Sequence, residues 1–339
     1  MASESGPSVS LIIVSYNGRN YLGPCLESIR AQSYPMDDVE LILVDNGSKD
    51  GTASWVRSSY PWVSVLEMGR NIGFAGGSNE GARRANGKYL AFLNQDTIVH
   101  REWLSRLVQE IERDETRGIC HCCTFMPWTR EFSRMQLDAR HSRACYYDVD
   151  RWGAYRYFCA GAPAGGVPTL GLTGGAFLLR RSLVEKWGYV FDEKFAAYCE
   201  DLDLGLRTWT SGHRVMMIPD SVVFHNQKTH FLPDAGVLSK ALRASRNRLM
   251  AFWRNCFTGE FFCILPLLLV GMVLKPIHMP ASLLPRLLMG LVMIALVPVA
   301  MVLAALGSCT TRKKRRELLL HRKKPDYWVL RQLIHRDLS

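Results

Sequence analysis

Short apolar runs alternate with helical stretches through the first hundred residues. Ser10-Leu11-Ile12-Ile13-Val14 is a buried-strand run ended by Tyr16-Asn17-Gly18, and Asn20 to Gln32 follows as an amphipathic helix with Leu22, Leu26 and Ile29 on one face. Leu41 to Val44 predicts a second strand closed by Asp45-Asn46-Gly47-Ser48, Thr52 to Ser59 a short helix, and Val63 to Leu66 a third strand. Ser78 to Ala85 reads as a helix and Tyr89 to Leu93 as a fourth strand, stopping at Asn94-Gln95-Asp96. This alternation predicts an α/β fold with a mainly parallel sheet and helices on both faces. Ligands of such sheets bind beyond the carboxyl ends of the strands. The polar clusters Tyr16-Asn17, Asp45-Asn46 and Asn94-Gln95-Asp96 stand at those ends.

The second half is less regular. Pro127 to Pro168, rich in Arg, Tyr, Trp and Gly, reads as an acceptor-side loop or small subdomain. Gly174 to Leu179 reads as a strand entered through a glycine turn, Cys199 to Trp209 as a helix, and Val215 to Ile218 with Ser221 to Phe224 as strand segments. Val237 to Phe257 is a basic amphipathic helix suited to a membrane surface or to ordinary packing. Phe261 to Leu274 is then free of charge, and Leu287 to Leu306 is a second apolar run of bilayer-crossing length. Two crossings would leave both chain ends on one side; the first run is short, so an interfacial hairpin is the alternative.

Charge sharpens that picture. Of the formal +11, the segment Thr310 to Ser339 contributes ten Lys/Arg against three acidic residues, a net +7, which leaves +4 for the rest. A basic cluster after an apolar segment reads as a cytoplasmic membrane flank, not as a nucleic-acid surface. Met1 to Ser8 shows no secretory signal, and ten irregularly spaced cysteines fit reduced thiols in the cytosol. Cys120-His121-Cys122-Cys123 lacks the second pair a zinc site normally uses and reads as a strand of buried thiols.

Several residues carry candidate chemistry. Asp96, just after a buried strand, can hold a divalent cation that bridges phosphate oxygens; a plain turn is the alternative. Glu200-Asp201-Leu202-Asp203 places three carboxylates at a helix start, where they complement the helix dipole or accept the proton of an attacking hydroxyl. His225, ending an apolar run, is either structural or an imidazole metal ligand favouring manganese over magnesium. Asp45 can accept a hydrogen bond from a pyrimidine N–H. The glycine-rich Asn71 to Asn79 segment offers backbone N–H groups to an anion. No dinucleotide fingerprint, phosphate loop or nucleophile elbow is present in the sequence.

In order along the chain, Ser10 to Asn17, Leu43 to Thr52, Asn71 to Asn79, Leu93 to Thr97, Gly174 to Ala176 and Glu200 to Arg207 resemble the family 2 glycosyltransferases of the GT-A fold, in particular a rhamnosyltransferase-like branch. The resemblance spans Val9 to Asn226. It implies a GT-A nucleotide-diphospho-sugar transferase domain over 9–236, after a disordered tail over 1–8. The basic amphipathic helix over 237–257, a membrane hairpin over 258–307 and a basic cytoplasmic tail over 308–339 would follow.

The implied roles are a donor site of Ser15, Tyr16, Asn17, Asp45, Asn71, Gly73, Asn79, Asn94, Gln95, Gly174 and Gly175. Asp96 and His225 would hold Mn²⁺ or Mg²⁺, Asp201 would act as general base, and Glu200 would shape the acceptor pocket. The implied reaction is an inverting transfer from a nucleotide-diphosphate sugar, first dTDP-rhamnose and otherwise a UDP-sugar, to a lipid-linked or cell-envelope glycan. It would occur at the cytoplasmic side of a membrane. The family's Asp-x-Asp is here Asn94-Gln95-Asp96, without its first carboxylate. A non-catalytic nucleotide-sugar-binding scaffold is the competing reading.

Overall fold

The structure, a computed structural model, describes residues 8–125, 144–150, 152, 153, 155–160, 165–226, 237–274, 294, 297–306, 312–325 and 327–335. Strand β1 (Val9–Ser15) leads through helix α1 (Arg19–Arg30) to β2 (Val39–Asp45), then through α2 (Thr52–Ser59) to β3 (Val63–Glu67). Helix α3 (Gly73–Arg84), β4 (Tyr89–Asn94), the short β5 (Thr97–Val99), α4 (Trp103–Glu112) and β6 (Arg117–Phe125) complete the first half. The hairpin β7 (Ala144–Val149) and β8 (Tyr155–Ala160) forms a separate two-stranded sheet. After β9 (Val167–Pro168) come β10 (Ala176–Arg180), α5 (Arg181–Trp187), α6 (Glu200–Thr210) and β11 (Arg214–His225).

The main sheet has the order β3-β2-β1-β4-β10-β6-β11-β5, with β9 paired to β11. Strands β1 to β4 are parallel, as the alternation predicted. The second half departs from it. Strand β10 runs antiparallel to both β4 and β6, and β5 runs antiparallel to β11. No helix separates β5 from β4, so the chain reverses there without a crossover. Val215 to Ile218 and Ser221 to Phe224 belong to the single strand β11, whose pairing with β6 shifts between Ile218 and Val222.

Helices α1, α2 and α4 pack their apolar stripes on one face of the sheet, and α3, α5 and α6 on the other. Strand alternation places Cys120 and Cys122 in the first core, while Cys123 joins a smaller cluster around Phe224. His121 is buried against the Thr169 hydroxyl at 2.9 Å, and burial pulls its pKa down to about 3. Among the described residues no metal-holding cluster forms, and the strand of buried thiols is what the segment makes.

The glycine-rich segment before Ser78 is helical, not a loop. A methyl group at Gly77 would lie 2.7 Å from Val14 Cγ1, and one at Gly81 would lie 2.5 Å from Ile12 Cγ2. These glycines bring α3 close to β1.

Helices α7 (Val237–Asn255) and α8 (Thr258–Leu274) share a further core with α6 and with the Trp328–His335 helix. Among the described residues no helix is long and apolar enough to cross a membrane. Helix α8 has 17 residues and contains Pro266. Of the second apolar run, residues 287–293, 295 and 296 lie outside the described residues, and Ile294 and the stretch 297–306 are helical.

Candidate active site

The topology gathers the site at one sheet edge. β1, β2, β4 and β11 all point their carboxyl ends there, delivering Ser15, Asp45, Asn94 and His225. β10 runs the opposite way, so its amino end, preceded by Gly174-Gly175, arrives at the same edge with Ala176 beside Leu93.

His225 Nε2 lies 3.2 Å from Asp96 Oδ1 and 3.2 Å from Asn94 Nδ2. The Asn226 amide donates to the Asp96 carbonyl, and the Asn94 amide to the Gly175 carbonyl. A methyl group at Gly175 would sit 3.0 Å from Asn94 Nδ2 and 3.3 Å from His225 Cε1. One at Gly174 would sit 3.1 Å from Asp201 Cβ and 3.3 Å from its Oδ2. Two adjacent residues without side chains therefore bring Asp201 to the Asn94–Asp96–His225 group, although these positions lie far apart in the chain.

A carboxylate oxygen and an imidazole nitrogen at this separation form a donor pair of the type that holds manganese or magnesium. Among the described residues no third His, Cys, Asp or Glu joins them. The residues fit a divalent cation.

The loops that follow β1 and β2 interlock. Asn17 adopts a left-handed φ of 49°, and its side-chain carbonyl accepts the Lys49 amide at 2.9 Å. Its own amide donates to Ser48 Oγ at 2.9 Å, and the Gly18 amide donates to Thr52 Oγ1 at 3.1 Å. Asp45 is buried, which raises its pKa, while the Ser48 amide donates to its Oδ1 at 3.3 Å. Exposed Asn17 and half-buried Tyr16 remain at the surface of this edge.

Three of the sequence-derived donor residues are engaged by the fold itself. Gln95 is buried beneath the first loop, where its Oε1 accepts from Ser15 Oγ at 2.7 Å and from the Tyr16 amide at 3.0 Å. Asn79 is buried in α3; its Oδ1 accepts the Val190 and Phe191 amides, and its Nδ2 donates to the Phe191 carbonyl at 2.8 Å. Ser15, Gln95 and Asn79 thus shape the edge from below rather than face it.

Asn46, absent from the sequence-derived set, does more than its turn signal indicated. Its Nδ2 donates to Asn71 Oδ1 at 3.0 Å and to the Gly73 carbonyl at 3.1 Å, and its Oδ1 accepts the Ile72 amide at 2.9 Å. This buried amide clamps the Asn71–Gly73 turn onto the end of β2.

The acidic motif divides by position on α6. Asp203 is fully buried and accepts Asn255 Nδ2 at 2.9 Å, with Arg254 Nη1 3.7 Å away. Asp201, half-buried, faces Gly174. Glu200 is pushed up to about 8, by burial first and then by the Asp201 charge, and its buried Oε2 makes no hydrogen bond among the described residues. Burial and the neighbouring Asp201 charge both favour the protonated form of Glu200.

The loop entering α6 is strained, with left-handed φ at Ala196 (58°), Tyr198 (70°) and Cys199 (65°). Asn247 of α7 holds it. Its buried Nδ2 lies 2.7, 2.9 and 2.8 Å from the carbonyl oxygens of Phe195, Ala197 and Tyr198. Sequence reading missed this residue because nothing local marks a helix asparagine as a clamp for a loop about fifty residues away.

The sequence profile of glycosyl transferase family 2 matches residues 10–188, slightly more than half of the chain. The glycosyltransferase AglE of Haloferax volcanii is 36% identical over 108 residues, covering 31% of this chain and 36% of AglE. The chain thus spans about a third of that relative's length. A GalNAc-T7 structure with UDP, GalNAc and Mn²⁺ superposes with a TM-score of 0.66 at 14% identity, covering 99% of this chain and 58% of that one. The Pyrobaculum calidifontis mannosyltransferase PcManGT, with GDP-Man and Mn²⁺, gives a TM-score of 0.55 at 21% identity, covering 94% of this chain and 86% of that one. The fold is of the GT-A type, and the chain belongs to glycosyl transferase family 2.

Proposed function

We propose that this protein transfers a sugar from a nucleoside-diphosphate donor to an acceptor hydroxyl, inverting the anomeric carbon. The observation that carries the reading is the contact series Asp96–His225–Gly175–Gly174–Asp201 at the sheet edge. Tyr16, Asn17, Asp45 and the clamped Asn71–Gly73 turn take the nucleoside. Asp96 and His225 hold the cation, Mn²⁺ or Mg²⁺, which as a Lewis acid stabilises the departing diphosphate.

Asp201 accepts the acceptor's hydroxyl proton as that oxygen bonds to the anomeric carbon. The carbon–oxygen bond to the diphosphate breaks, and its electron pair leaves with the diphosphate. Glu200, whose protonated form is favoured by burial and by the Asp201 charge, shapes the acceptor pocket.

The nucleoside diphosphates and Mn²⁺ named with the two solved neighbours agree with this donor class. dTDP-rhamnose is the first donor to test, and UDP-sugars the second. The acceptor we infer is a lipid-linked or cell-envelope glycan, met at the cytoplasmic side of a membrane to which the apolar and basic C-terminal third attaches.

With donor and Mn²⁺, Asp201→Asn lowers transfer by about 10³-fold while donor affinity, read by thermal shift, stays within about twofold. Near-normal turnover in that variant would remove Asp201 from the mechanism. A second reading, a nucleotide-sugar-binding scaffold without turnover, is favoured by Asn94 standing where the family places a carboxylate. Donor binding with neither hydrolysis nor transfer in Mn²⁺ would select it.

A further inference from the structure

Helix α8 is apolar on both sides, and among the described residues only one side is buried. Ile264, Leu268 and Met272 are buried at four-residue spacing, whereas Phe262 (59% exposed), Pro266 and Val270 (42%) face outward at the same spacing. The adjoining stretch 297–306 repeats the pattern, with Ala300 and Ala304 buried and Val302 (59%) and Leu306 (61%) exposed. Between α7, α8 and this stretch lies a groove of about 310 Å³. Trp253, Phe262, Leu265, Met301 and Ala305 are among its lining residues, and Arg312 is the one charged side chain there among the described residues. Its size is at the small end of ligand pockets, which run from roughly 300 to 1,000 Å³.

The covered side of α8 is tied down. Buried Glu260 pairs with Arg322 at 2.8 Å and accepts the Val329 amide at 2.7 Å. A methyl group at Gly271 would lie 2.5 Å from Trp152 Cβ. Bound along its length to the body of the protein, α8 can enter an apolar phase only with its outer side.

The Arg312–Leu320 helix that follows opens with five basic residues, of which Arg312, Lys313 and Arg316 are exposed. Apolar side chains beside a run of positive charge match the two layers of an anionic leaflet, acyl chains beneath phosphates.

We propose that α8 and residues 297–306 lie in the plane of one leaflet of an anionic phospholipid membrane, with one acyl chain in the groove against Trp253 and lipid phosphates on Arg312, Lys313 and Arg316. The inference rests on the membrane attachment proposed above and replaces a crossing hairpin with attachment to a single leaflet.

The test uses the full chain with vesicles of phosphatidylcholine, alone or with phosphatidylglycerol, carrying dibrominated acyl chains that quench nearby tryptophan. The protein sediments with the anionic vesicles, and added salt releases it. Lys313→Glu with Arg316→Glu weakens sedimentation by at least about tenfold. Phe262→Asp with Val302→Asp does the same without changing donor binding, a readout that also certifies the fold. Bromolipid quenches the wild type, and Trp253→Phe removes a quenched component. Ala305→Phe, at an exposed position, fills the groove and abolishes Trp253 quenching while sedimentation persists. Alkaline carbonate strips the wild type from the vesicles.

Resistance to carbonate, equal binding to neutral vesicles, wild-type sedimentation of the aspartate variant or an unquenched Trp253 would each overturn the proposal. So would displacement by RNA from vesicles at constant ionic strength. Donor hydrolysis measured without vesicles reads the proposed chemistry separately, so either idea can fail alone.

Discussion

The first turn of α6 uses its carboxylates in opposite ways. At its start, Asp201 faces Gly174 at the sheet edge, and burial with the Asp201 charge raises the pKa of Glu200. Further along that turn, Asp203 is sealed in the core with Arg254, whose guanidinium also pairs with Asp192 at 2.8 Å and donates to Tyr189 Oη at 2.8 Å. Lys314, from the basic tail, reaches Asp192 at 3.3 Å. The first arrangement turns a carboxylate toward the sheet edge; the second uses buried charged side chains to join α6, α7 and the tail. An acidic motif therefore divides its labour by helix position, and sequence spacing alone does not assign the roles.

The largest effect that would test this contrast is on the buried side. Arg254→Met removes the buried cation that Asp192 and Asp203 share, leaving Lys314 beside the first and Arg207 3.7 Å from the second, and costs about 3–5 kcal/mol in urea unfolding, whereas Asp201→Asn stays within about 0.5 kcal/mol of the wild type. If the two variants were equally destabilised, the contrast would fail.

Next comes the edge itself. Gly175→Ala presses a methyl group on Asn94 and His225, and transfer falls by about ten- to a hundredfold with stability nearly unchanged, a barrier increase of roughly 1.4–2.7 kcal/mol. Asn46→Ala frees the Asn71–Gly73 turn, and the donor Kd rises by about tenfold, roughly 1.4 kcal/mol, with a much smaller change in kcat. An unchanged donor Kd would show that the turn holds its place without the clamp.

The smallest effect is a pH slope. Glu200's pKa is raised from 4.5 to about 8 in the folded protein, so between these values the native state keeps a proton that the unfolded chain has released. Its contribution is therefore fully present below about 4.5 and is lost as the pH rises through 8. Glu200→Gln should flatten this part of the stability profile relative to wild type, read as the difference between the two unfolding curves from pH 5 to 8.5.

The parallel half of the fold was legible because each apolar run ends in its own turn residues, and β1 to β4 and the helices between them follow that punctuation. Where the strand direction reverses, at β5 and β10, the residues look like any other buried strand; direction is set by pairing partners that periodicity does not encode. The edge residues Asp45, Asn94, Asp96, Asp201 and His225 were found through the ordered motifs, and the sheet brings Asn94, Asp96 and His225 together. Gln95 and Asn79 belonged to the same motifs, yet their amides serve the fold, a distinction that only their hydrogen-bond partners reveal. Asn46 and Asn247 went unrecognised for the converse reason. An amide that clamps a distant loop has no local signature.

The Asn247 clamp bears on how far this protein can be dissected. The strand motifs and the acidic helix all end by His225, which invites a minimal catalytic fragment stopping there. Such a fragment would keep every proposed reactive group but lose the partner that stabilises the left-handed backbone at Ala196, Tyr198 and Cys199. Relaxation of those three residues would let the start of α6 drift, so the helix beyond the motifs belongs to the smallest unit capable of turnover.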